Sequence, residues 1–151
     1  MIDINNKEKV FATIDKFSEE MTPLFGKLTP QHVLEHLLTS INLSTGKRQI
    51  EFFQTQEMAD RFKAKLVYTD AEIPQGIKNP LLTDDLPELK YHSLDEAKQK
   101  LKAELEYFYE YRSQNPNAMG THPRLNSLTM SEWTTMHTKH FSHHFKQYGL
   151  L

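Results

Sequence analysis

Four histidines, His137, His140, His143 and His144, fall within eight residues of the run Trp133-Thr-Thr-Met-His-Thr-Lys-His-Phe-Ser-His-His-Phe-Lys-Gln-Tyr148. Two more, His32 and His36, stand four apart in Thr29-Pro-Gln-His-Val-Leu-Glu-His-Leu-Leu38, so six of the eight histidines lie in two short stretches. Residues four apart on a helix lie one above the other on the same face, which lets two imidazoles reach a common point. Imidazoles drawn from two helices form a donor set for a divalent transition metal. The chain has no cysteine, so thiolate metal sites, disulfides and a cysteine nucleophile are excluded. Imidazole and carboxylate remain as donors; they suit zinc or nickel foremost, and cobalt, iron or manganese, better than copper(I) or an iron–sulfur cluster.

Helical faces rank the six. Phe141 and Phe145 follow His140 and His144 at the same step and should anchor that face inward, so His140 and His144 are the first candidates. His137 shares their stripe and is the reserve ligand, whereas His143, about 100° round the helix from His144, is expected in solvent or behind the ligands. On the early helix His36 lies beside Val33 and Leu37, nearer the core than His32, so His36 leads and His32 is in reserve. Neutral imidazoles buried without partners would cost roughly 1–3 kcal/mol each, and one shared metal would satisfy several.

Three neutral histidines on a divalent ion leave at least one position for water or substrate, the arrangement of a catalytic site, and a water there has its pKa lowered toward 7. A fourth ligand from His32 or His137 would indicate a closed, structural site. Glu35, Glu132 and Gln147 are candidates to hold a ring N–H, each with a plainer reading as an exposed or capping residue. His122, in Thr121-His122-Pro123 just before the histidine helix, is the one candidate for acting on substrate; a turn residue is its simpler reading. No phosphate-cradling glycine loop, Gly-x-Ser-x-Gly elbow or His-Glu-x-x-His occurs.

Five stretches must position these residues. Val10, Phe11, Ile14, Phe17 and Met21 recur at three- and four-residue steps and predict an amphipathic helix over 6–20. Thr29 as cap and Pro30 at the first helical position open a second, striped by Val33, Leu34, Leu37, Leu38 and Ile41 and stopped at Gly46. The region 47–92 reads as a long irregular crossover with one helical stretch, Gln56 to Leu66, on Met58, Phe62 and Leu66, and with breaks at prolines 74, 80 and 87. Such a segment is either a cover over a site or a surface crossover. Ser93-Leu-Asp-Glu96 and Thr129-Met-Ser-Glu132 read as capping boxes opening a helix that ends near Asn115-Pro116 and the histidine helix. With no convincing alternating strand, the expected fold is all-α, an up-down four-helix bundle in one domain, 1–151.

The 18 Lys and Arg and 20 Asp and Glu give a formal charge of -2 with the signs interspersed, which does not read as a nucleic-acid surface. The first residues lack a basic start followed by an apolar stretch, and no segment approaches roughly 18 uncharged apolar residues. The expectation is a soluble cytoplasmic protein without membrane or nucleic-acid partners.

Gln31-His-Val-Leu-Glu-His36 on an early helix, and His140-x-x-His-His144 with Gln147 on the last, resemble the DinB-like family of metal-binding four-helix bundles. That superfamily takes one ligand from an early helix and two, four residues apart, from the last, so the resemblance implies His36, His140 and His144. More narrowly, Phe25-Gly-Lys-Leu-Thr-Pro-Gln-His32, Thr121-His-Pro-x-x-x-x-Leu-Thr129 and Lys139-His-Phe-x-His-His-Phe-x-Gln-Tyr-Gly149 look like a largely uncharacterised branch. Some of its sequences are named for oxepin-CoA hydrolase or phenylacetate degradation, yet this chain has neither the length nor the nucleotide-binding and thiol signatures of the dehydrogenase of that pathway. Characterised relatives in the wider superfamily use low-molecular-weight thiols such as mycothiol or bacillithiol. The resemblance therefore implies a metal-dependent hydrolase or thiol transferase acting on a small molecule, with a homodimer as the common assembly. The competing class is a non-catalytic, metal-stabilised binding or interaction module.

Overall fold

The computed structural model describes residues 1–76 and 85–151; the expected break at Pro80 lies outside them. Lys7–Asp15 forms α1, Pro30–Ser44 α2, Gln56–Leu66 α3, Leu94–Gln114 α4 and Met130–Gln147 α5, with strands β1, Met119–His122, and β2, Asn126–Thr129, between the last two helices.

Local chemistry sets the helix ends. Thr29 accepts from the backbone N–H of His32, and Pro30 fills a first-turn position whose N–H would have no helical partner, so α2 starts where the sequence requires. It stops as Gly46 adopts φ 76° just past the cap at Thr45. The Thr129–Glu132 capping box forms in full, with both reciprocal bonds made. The Ser93 box forms by half: Ser93 caps Glu96, but the Glu96 carboxylate accepts from the N–H of His92 at 3.1 Å. Helix α1 ends at Asp15, short of the expected 20. There Lys98 takes the carbonyls of Asp15 and Phe17 at 3.1 and 2.6 Å, satisfying end groups that further helix would have paired. Helix α3 has the expected bounds but turns Ala59 and Leu66 inward and leaves Met58 exposed.

The main core gathers Ile14, Leu34, Leu37, Leu101, Phe108, Phe141 and Phe145, one apolar stripe from each of α1, α2, α4 and α5. A second cluster, of Leu43, Leu66, Leu125, Leu128, Met130, Trp133 and Met136, lies beneath α3 and the strands. Outside α3, the described residues between 47 and 92 form no helix or strand.

The expected all-α, up-down four-helix bundle is overturned, because the described residues hold five helices and a two-stranded antiparallel sheet. Its register pairs Met119 with Thr129 and His122 with Asn126, leaving a three-residue connection. Strands of four residues are too short for alternation to stand out, so the segment reads as a loop. Its signature is turn chemistry: Pro123 after His122, and Asn126 at φ 54°, left-handed backbone that Asn tolerates better than most residues. The hairpin sits tight on α2. A Cβ at Gly120 would lie 2.5 Å from the carbonyl oxygen of Leu43, and the Trp133 indole donates to the Gly120 carbonyl at 3.0 Å.

Among the described residues no helix is long and apolar enough to cross a membrane.

Candidate metal centre

Helix α2 buries Val33, Leu34, Leu37 and Ile41 completely, which places His36 at the edge of its buried stripe, facing α5. On α5 the buried rings of Phe141 and Phe145 fix the rotation of the helix, so His140 and His144 emerge one turn apart beside them. The three imidazoles converge. Nε2 of His36 lies 2.9 Å from Nε2 of His140, which lies 3.2 Å from Nε2 of His144. Ligand atoms of all three fall within 4.8 Å of one another, and no other His, Asp or Glu among the described residues joins them.

The outer edge of His144 shows how the site is oriented. The Gln147 amide donates through Nε2 to the carbonyl of Phe25 at 2.9 Å, which turns its oxygen toward Nδ1 of His144 at 2.7 Å. Nδ1 must then carry the proton, and Nε2 presents its lone pair to the other two rings. Gly26 permits this approach: at φ 78°, a Cβ there would stand 2.7 Å from Gln147 Nε2.

Burial depresses all three imidazoles. His36 is held at about 4 by desolvation and by the neighbouring His143. Desolvation first, and then the adjacent imidazoles, keep His140 and His144 well below the usual histidine range. The neutral form that results is the form that ligates a metal.

Donor chemistry tests the fit. With the His144 lone pair directed inward, no placement of protons gives each of the two Nε2 contacts its own hydrogen: a proton on His140 must serve both neighbours, and without one two lone pairs face each other. A cation has no such conflict. Nitrogens 2.0–2.1 Å from one ion at octahedral or tetrahedral angles stand roughly 2.8–3.4 Å apart, a span that includes both observed separations.

The other sequence candidates are engaged elsewhere. His32 donates from Nε2 to the Pro87 carbonyl at 2.8 Å and pairs through Nδ1 with the Thr29 hydroxyl at 2.6 Å, so both ring nitrogens are occupied. His137 lies beneath the cluster: its Nε2 bonds Ser44 Oγ at 2.8 Å, and its ring stacks on Trp133 with centroids 5.1 Å apart. Neither reserve ligand joins the group. His143 bonds the carbonyl of Ile73 through Nδ1 at 3.2 Å.

Of the three candidates for holding a ring N–H, only Gln147 does so, and Glu132 has the capping role that was its plainer reading. Glu35 instead accepts from the backbone N–H groups of Lys90 and Tyr91 at 2.6 and 3.3 Å, tying the crossover to α2. Glu132 caps α5 and accepts from Tyr68 at 2.6 Å. Sequence reasoning gave no role at the site to Gly26 or to Trp133, the platform under His137.

A cavity of about 900 Å³ opens beside the cluster, lined by all three histidines and by Leu38, Leu43, Trp133 and Met136, within the usual range for a small-molecule site. A smaller cavity of about 380 Å³, lined by Lys139, His143 and Lys146, includes none of the three. No family model matches the chain, and no curated protein or solved structure was found to match it.

Proposed function

We propose that His36, His140 and His144 hold one divalent metal ion, zinc or nickel, and that the protein is a metal-dependent enzyme acting on a small molecule, as a hydrolase or a thiol transferase. The observation that carries this reading is the convergence of three inward-turned imidazoles on the wall of a 900 Å³ cavity, with no fourth side-chain ligand among the described residues. Such an ion would supply Lewis acidity, drawing the pKa of a water or thiol in the cavity toward neutrality.

The chain's own residues supply the rest. Gln147 and Gly26 hold His144 in its ligating tautomer. Glu35, Gln31 and His32 fasten the 87–91 stretch along α2, and Trp133 and Met136 give the cavity apolar wall that limits bulk water. The resemblance to DinB-like proteins implies the same three ligands, and membership of that superfamily is part of the proposal.

The second reading, a metal-stabilised binding module, draws on the cluster joining α2 to α5, where an ion would act as a cross-link. Turnover separates the two. Metal-loaded protein is assayed against a panel of esters, thioesters and thiol-plus-electrophile pairs. The enzyme reading expects at least one metal-dependent activity abolished in His140→Ala; no activity across the panel, with a large loss of stability on metal removal, supports the module.

A further inference from the structure

We propose that His122 is a substrate-contacting hydrogen-bond donor of this site, holding a ligand oxygen in the cavity through its Nε2–H. The inference rests on the metal reading for what the cavity is, and on its own geometry for what His122 does there.

Three observations carry it. First, the tautomer of His122 is set by its own turn: Nδ1 accepts from the backbone N–H groups of Arg124 and Leu125 at 3.0 and 3.3 Å. A ring nitrogen that accepts two N–H bonds has no proton, so in the neutral ring the proton is on Nε2. Second, His122 is among the residues that line the same cavity as His36, His140 and His144. With its Nδ1 edge turned into the loop, the opposite edge, bearing Nε2–H, is left for the cavity, and among the described residues nothing accepts from it. Third, the ring is held in place. It packs on Trp133 with centroids 5.3 Å apart, Trp133 is bonded to Gly120, and Gly120 lies too close to α2 for any larger residue. The hairpin therefore presents one imidazole edge to the cavity from a braced position.

Burial and the nearby Arg124 keep this ring neutral, depressing it to about 3. A neutral imidazole donates a directed hydrogen bond without bringing a positive charge beside a metal. The ligand feature it fits is a carboxylate or polarised carbonyl oxygen, and not a cation or an apolar group.

The test uses the full chain loaded with cobalt(II), with acetate titrated in and followed by the visible spectrum of the ion. Two variants divide the roles of the ring. His122→Asn keeps a side-chain acceptor for the turn amides while its shorter amide withdraws the donor from the Nε2 position, and His122→Phe keeps the ring packing on Trp133 and carries no N–H. Each is expected to retain cobalt and to bind acetate about tenfold or more weakly than the unaltered protein, the loss expected for a bond to a charged group. Acetate affinity equal to that of the unaltered protein in either folded, cobalt-loaded variant overturns the inference alone. An unaltered chain that takes up no cobalt overturns the metal reading and this inference with it.

Discussion

The side-chain oxygen of Gln147 lies 2.7 Å from Nδ1 of His144, and this contact decides which nitrogen of that imidazole faces the other two histidines. Residues that orient a ligating imidazole in this way typically contribute 10–100-fold to metal affinity. Gln147→Ala is therefore expected to weaken zinc binding by about that factor while helix content by circular dichroism stays unchanged. Affinity equal to the unaltered protein would show that the ring needs no such support.

Gly26 makes a second prediction one step further from the histidine cluster. Its substitution by alanine places a methyl group 2.7 Å from Gln147 Nε2 and strains backbone at φ 78°. The left-handed conformation alone costs a non-glycine residue roughly 1–2 kcal/mol. Gly26→Ala should lower the thermal midpoint and, by displacing Gln147, weaken zinc binding in the same direction as Gln147→Ala. A midpoint loss with zinc affinity intact would separate the backbone from the site.

Acid should unfold the metal-free protein well before its carboxylates protonate. Burial holds His122 and His137 at about 3 and His36 at about 4, whereas in the unfolded chain each titrates near 6.5. Between those values the unfolded chain binds protons that the native one refuses, so stability is fully present above about pH 6.5 and declines as pH falls toward 4. Each such ring contributes a slope of about 1.4 kcal/mol per pH unit. Urea midpoints measured from pH 7.5 to 4.5 on chelator-treated protein check this; a flat profile would mean that the rings are solvated.

Much of the histidine cluster was legible because helical geometry leaves few options. Histidines four apart beside paired phenylalanines fix a face, and Gln147, three residues past His144, falls on the same side of α5. What escaped depends on distant partners. Glu35 binds Lys90 and Tyr91, and Glu132 adds Tyr68 to its cap, pairings that no local spacing encodes. The reserve ligands failed for the same reason, since His32 is bound to Pro87 and His137 to Ser44. The hairpin escaped because two four-residue strands carry almost no periodicity, and only its turn residues, Pro123 and Asn126, mark it.

The most direct measurement is metal stoichiometry, with X-ray absorption at the metal edge, on protein purified without a histidine tag. One divalent ion per chain is expected, with three imidazole nitrogens at roughly 2.0–2.1 Å, lost in His140→Ala and retained in His32→Ala. Full metal content in folded His140→Ala would contradict this.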